Sequence, residues 1–196
     1  MRMFLRQTSI GREPLAVAMS GVRMGERVLQ IGMDDPAVVG AIGAKPGLSG
    51  ESALVVGNDD LAVKARRAIA ETGALVNVRV HAFEPLPFDD HAFDVVVWHN
   101  HQRPLTSAGE ASSGRALREC HRVLRPGGRI VVLDPGTASG LMSLFRRRED
   151  PALSDTTITA LESAGFKTVR TLGDRDGYRF IEGLKGQAPP VNDRRQ

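Results

Sequence analysis

The 196-residue sequence predicts one α/β domain: a doubly wound, mostly parallel seven-stranded sheet with a C-terminal antiparallel hairpin and helices on both faces. Three observations predict it. Short runs rich in β-branched residues are apolar throughout, the pattern of strands buried on both faces. Segments with helical spacing lie between several of these runs, and such alternation calls for parallel pairing through right-handed crossovers. Near the C-terminus, two strand-like segments flank the turn-rich Gly173-Asp174-Arg175-Asp176-Gly177, which suits a hairpin at the sheet edge.

Taken in order, residues 1–24 end in Leu15-Ala16-Val17-Ala18-Met19 and read as a lead-in helix before a domain at 25–185. Residues 27–31 form the first predicted strand, broken by Gly32, and 52–57 the second. A helix over 61–72 stops at Gly73. Residues 76–81, 93–98 and 129–134 read as the third, fourth and fifth strands, with a helix over 113–124 stopped by Pro126-Gly127-Gly128. A helix over 156–164 precedes the hairpin strands 167–172 and 178–184. The tail, 186–196, holds Pro189-Pro190 and unpatterned charge and is expected to be flexible.

Composition narrows the function classes. Hydrophobic residues make up 41% and charged residues 25%, ordinary globular usage. The single cysteine, Cys120, cannot form an internal disulfide, which suits a reducing compartment, and the expected location is cytoplasmic. No apolar run approaches the ~18 residues of a spanning helix, so no membrane partner is expected. The net charge of +3 comes partly from Arg146, Arg147, Arg148, Arg194 and Arg195, in a predicted loop and in the tail. Aromatic residues are only 5%, too few for a stacking surface, which argues against nucleic acid. His99 and His101 lack the further ligands that a metal centre needs. Cys120 reads as a buried filler, His121 as a helix-surface residue and Asp94 as a structural acid.

The segments GERVLQIG (25–32), LPFDDHAFDVVV (86–97), RALRECHRVLRPGGRIVVLD (115–134, with Glu119 upstream of the RVLRPGG run) and ESAGF (162–166) occur in this order. Together they resemble the class I S-adenosylmethionine-dependent methyltransferases, particularly the small-molecule branch of the type 11 domain, over roughly residues 20–185. The resemblance implies a Rossmann-like sheet and S-adenosylmethionine as cofactor in the crevice at the carboxyl ends of the first four strands. It also implies a small-molecule acceptor.

Its site residues follow position by position. Gly32 is the one glycine retained of the three that let backbone approach the cofactor, with Asp34 and Pro36 in place of the other two. Gln30 replaces the acid that ends the first strand. Asp59 matches the carboxylate that accepts both ribose hydroxyls; Asn58 and Asp60 are alternatives, and helix capping is an equal use for these residues. Ala82 stands where an acid meets the adenine amino group, and Phe83 offers either an aromatic face or core packing. Trp98 ends the fourth strand at the cofactor edge. His99 and His101 follow, where a base near neutral pKa would face the acceptor. The expected function is methyl transfer to a small molecule. The alternative, which Gln30, Asp34, Pro36 and Ala82 favour, is an inactive methyltransferase-like domain serving as a binding or scaffold partner of another protein.

Overall fold

The structure is a computed structural model that describes residues 14–100, 110–135, 151–175 and 178–187. A short helix, α1 (Leu15–Met19), leads into β1 (Arg27–Ile31), α2 (Pro36–Ala44) and, after a single 3₁₀ turn at Gly47–Ser49, β2 (Glu51–Val56). Then follow α3 (Asp59–Thr72), β3 (Asn77–Val80), β4 (Phe93–His99), α4 (Glu110–Val123), β5 (Leu124–Pro135), α5 (Pro151–Ser163) and the hairpin β6 (Lys167–Arg175) and β7 (Tyr178–Leu184). The sheet runs β3-β2-β1-β4-β5-β7-β6. The first five strands are parallel and β7 is antiparallel to both of its neighbours. This is the doubly wound, seven-stranded arrangement that the strand pattern predicts.

The core lies on both faces of the sheet. Under α4 and α5 it contains Leu29, Ile31, Val96, Trp98, Leu117, Leu161 and Phe166. On the other face, Val28, Val95, Val97, Leu133 and Phe180 pack with α1 and with Val38 and Ile42 of α2, while Leu54 and Val56 meet Ala65 and Ile69 of α3.

Besides β6, which runs on through Gly173, Asp174 and Arg175 of the expected turn to pair with Phe180, Arg179 and Tyr178, three segments differ from the sequence expectation. The first is α2, a helix that spacing does not announce. PAVVGAIGA has no polar stripe, its exposed positions being Ala37 and Ala44, and its inner side packs tightly on the sheet and α3: a Cβ on Gly40 would lie 3.0 Å from the Ala68 carbonyl oxygen, and one on Gly43 2.7 Å from Val76 Cγ2. Pro36 opens this helix, where a missing N–H has no intrahelical acceptor to lose, and Asp35 caps it by accepting from Ala37 N at 2.8 Å. The second is β5, which starts at Leu124, so the Arg125-Pro126-Gly127-Gly128 turn lies inside the strand as an irregularity, where pairing shifts between Phe93 and Val95. Lys185 replaces the expected glycine stop of α4, its Nζ donating to the carbonyls of His121 (2.6 Å) and Leu124 (2.7 Å). The third is His121, which is half-buried and meets Phe166 edge-on at 5.1 Å rather than lying on an open surface.

The motif residues of the LPF and RVLRPGG segments turn out to hold each other. Glu119 accepts from Leu86 N at 2.8 Å and binds Arg122, whose guanidinium also reaches the carbonyls of Phe88 (2.9 Å) and Leu86 (3.1 Å) and the carboxylate of Asp90 (2.7 Å). Asp94 accepts from Arg27 N at 2.7 Å and pairs with Arg125, joining β1, β4 and β5. Partial burial opposes the charge on Asp94, yet these two donors hold its carboxyl below the usual range. Cys120 is fully buried, and burial pushes its thiol well up, so it is a packing residue.

Candidate functional site

In an open α/β sheet, ligands bind outside the carboxyl ends of the strands where the strand order reverses. Here that point lies between β1 and β4, with the ends of β2 and β3 beside it. Gly32 makes the turn off β1 with φ +73°, donating its N–H to the Val55 carbonyl at 2.9 Å. A Cβ at this position would sit 3.0 Å from the carbonyl oxygen of His99. Both the positive φ and the close approach of the β4 end therefore require glycine.

The next residues turn away from the crevice. The Met33 side chain is buried with Val39, Leu54 and Ala62 beneath α2 and α3. Asp34 accepts from the Tyr178 hydroxyl at 2.5 Å, across 144 positions of sequence. Burial first, and then the Asp34 carboxylate, raise the Tyr178 pKa, so this phenol stays neutral. Sequence reasoning missed Tyr178 because no local pattern links it to the β1 loop; its being the chain's one tyrosine was the only available signal.

At the β2 end, Asn58 is the helix cap, its side chain accepting from Leu61 N at 2.9 Å. That leaves Asp59 and Asp60 exposed in the first turn of α3, with no hydrogen bond to either carboxylate among the described residues. At the β3 end, Ala82 is exposed and its carbonyl meets His81 Nδ1 at 2.8 Å. Phe83 is half-buried and stacks edge-on against Trp98, with ring centroids 5.9 Å apart. Trp98 is 1% exposed and belongs to the core; among the described residues its indole N–H has no hydrogen-bond partner.

His99 and Gln30 are brought together. Gln30 is fully buried, donates through Nε2 to the Val39 carbonyl at 3.0 Å, and meets His99 Nε2 with Oε1 at 3.0 Å. Gln30 is thus an internal bridge between α2 and β4. Burial lowers the His99 pKa to about 4, so the ring is neutral at physiological pH, not a base tuned near neutrality. His101 lies outside the described residues, as do Arg146, Arg147, Arg148, Arg194 and Arg195.

A polar cluster that sequence reasoning did not assemble stands at the ends of β4 and β5. Buried Asn100 donates to Asp134 Oδ1 at 2.6 Å, and buried Thr157 donates to Asp134 Oδ2 at 3.2 Å. At the opposite, amino ends of the strands, a groove of about 780 Å³ is lined by Ala53, Asn77, Arg79, Phe88 and Phe93, remote from all of these groups. Among the described residues no group of three or more His, Cys, Asp or Glu could hold a metal ion, and no helix is long and apolar enough to cross a membrane.

Comparison with known proteins agrees with this geometry. Residues 47–132 match the family described as "Methyltransferase domain". The chain is 37% identical to the ubiquinone/menaquinone biosynthesis C-methyltransferase UbiE of Idiomarina loihiensis over 117 residues, 59% of this chain and 45% of that protein. It is 37% identical to the UbiE of Ectopseudomonas mendocina over 170 residues, 84% of this chain and 60% of that one. The chain therefore spans about half the length of these curated relatives. Among solved structures, a SAM-dependent methyltransferase from Aquifex aeolicus superposes with a TM-score of 0.64 at 18% identity, covering 87% of each chain. A SAM-dependent O-methyltransferase from Thermotoga maritima gives 0.66 at 16% identity, covering 94% of this chain and 69% of the other. At such identities these two likenesses speak for the fold.

Proposed function

We propose that the chain is a class I S-adenosylmethionine-dependent methyltransferase that transfers a methyl group from S-adenosylmethionine to a small-molecule acceptor above the carboxyl ends of β1 and β4, a reading that its likeness to the methyltransferase domain and to the UbiE proteins supports. The observation that carries this reading is the Gly32 turn, a backbone cradle that a single Cβ would close against the His99 carbonyl at 3.0 Å. The residues fit the cofactor. Gly32 leaves room for close backbone approach, and Asp59 keeps an acceptor-only carboxylate free for the ribose hydroxyls. Phe83, partly buried against Trp98 beside the exposed Ala82, is the aromatic side chain available for the adenine. Met33, Asp34 and Pro36, the residues that would block a glycine loop, are drawn respectively under α2, onto Tyr178 and into the first turn of α2.

S-adenosylmethionine supplies an electrophilic methyl on a sulfonium sulfur. The protein's task is then to align nucleophile, carbon and sulfur and to exclude water, a proximity effect that needs no strong base. A neutral His99 suits that division of labour as a hydrogen-bond partner. His101 is assigned to the acceptor side by its position in the sequence. Transfer to carbon in particular is supported by the names of the UbiE relatives.

Calorimetric titration with S-adenosylmethionine and with S-adenosylhomocysteine tests the proposal. Micromolar binding is expected, and Asp59→Ala should weaken it by about 1.5 to 3 kcal/mol through lost charge-assisted bonds. Absence of binding up to millimolar concentration would overturn the reading; unchanged affinity in the variant would remove Asp59 from it.

A further inference from the structure

The partners of Gln30 determine the state of the His99 ring. The Val39 carbonyl can only accept, so the Gln30 amide must present its NH₂ there, at 3.0 Å. That orientation turns Oε1, which also can only accept, toward His99 Nε2 at 3.0 Å. The ring proton must therefore sit on Nε2, and Nδ1 is left as a bare lone pair with no hydrogen bond among the described residues. Gln30 is fully buried and His99 is 5% exposed, at the end of β4 where Gly32 approaches it. Water cannot easily rearrange either group. An acid in place of Gln30 could not donate to Val39 while accepting from His99, so the glutamine and the histidine are a matched, uncharged pair.

We propose that Gln30 is a positioning residue that locks His99 as the Nε2–H tautomer, so that Nδ1 accepts a hydrogen bond from an O–H or N–H group of the adenosyl ligand in the crevice. The ligand half of this assignment rests on the methyltransferase reading; the tautomer half does not. Burial, which lowers the His99 pKa to about 4, keeps the lone pair available through the neutral range.

Long-range ¹H–¹⁵N spectra of the histidine rings in the full ¹⁵N-labelled chain test both halves. The His99 signals are identified among the five histidines by their loss in His99→Gln. The free protein should show a protonated Nε2 and a bare Nδ1. Saturating S-adenosylhomocysteine should shift Nδ1 toward a hydrogen-bonded value and leave Nε2 in place. Gln30→Met removes the acceptor, so its two ring nitrogens should average, and affinity for S-adenosylhomocysteine should fall about fivefold, as for one misplaced hydrogen bond. Gln30→Glu keeps an acceptor at Nε2 and should keep that proton, which guards against a folding defect in the methionine variant. A purely structural Gln30 would leave the affinity of the methionine variant unchanged. A proton on Nδ1 in the free protein overturns the tautomer assignment, and a Nδ1 signal that saturating ligand does not move overturns the ligand contact. If the wild-type chain binds no S-adenosylhomocysteine, the methyltransferase reading and the ligand contact fall together, while the free spectrum still decides the tautomer.

Discussion

The two ends of β4 follow opposite rules. At its amino end Asp94 is held by Arg27 N and Arg125, and the adjoining loop is fastened by Glu119 and Arg122 through Leu86, Phe88 and Asp90. At the carboxyl end of this seven-residue strand, among the described residues, the Trp98 indole N–H has no partner, His99 uses one ring nitrogen, and Asp59 at the β2 end makes no side-chain hydrogen bond. A closed network stabilises a fold, and unanswered polar groups cost stability unless something else answers them. The contrast separates the end of the strand that holds the domain together from the end suited to a ligand.

The comparison can be broken hardest with pH. His99 titrates near 6.5 when unfolded and about 4 when folded, so its neutral state favours folding fully above pH 6.5 and progressively less as pH falls toward 4. The loss is on the order of 3 kcal/mol. Urea unfolding across this range should show the decline, and His99→Gln should flatten it; an equally steep decline in the variant would remove His99 as its source.

Next in size is Glu119→Ala, which leaves Leu86 N without its acceptor, takes one carboxylate from Arg122 and should destabilise the chain by about 2 kcal/mol. Its affinity for S-adenosylhomocysteine should change much less than its unfolding midpoint. A larger effect on binding than on stability would blur the division between the two ends. Gly32→Ala should behave in the reverse manner. Strain at φ +73° costs roughly 1 kcal/mol in stability, while the new Cβ at 3.0 Å from the His99 carbonyl closes the cradle and should abolish cofactor binding in the same titration.

The smallest effect is expected for Trp98→Phe. The substitution removes an unpaired buried N–H but empties the space of the five-membered ring in a side chain that is 1% exposed, so thermal stability should fall by about 1 kcal/mol, mostly through lost packing. A loss above about 3 kcal/mol would mean that the indole N–H is answered within the fold.

The fold was legible because buried strands leave a strong one-dimensional trace. Residues 27–31 and 93–98 are largely apolar runs and 178–184 is a strand-like segment after a turn-rich linker, and the structure places β1, β4 and β7 within one residue of those limits. Helix α2 left no such trace, since its exposed positions are alanines, Ala37 and Ala44, and no polar stripe marks its outer side. The site was legible only in outline. Gly32, Asp59 and the Phe83–Trp98 neighbourhood were assigned by the resemblance to the methyltransferases, position by position, and the strand order brings those strand ends to one edge of the sheet.

What the sequence alone determined is therefore the order of elements, the parallel sheet with its closing hairpin, and the edge at which chemistry belongs. Tertiary structure decided what each side chain does there: that Gln30 faces inward to His99, that Asp34 is taken up by Tyr178, that Asn58 rather than Asp59 caps α3, and that Asn100, Asp134 and Thr157 meet. The physical reason is range. Secondary structure follows from periodicities that repeat within a few residues, whereas a hydrogen bond between positions 34 and 178 exists only after the strands between them have been laid side by side.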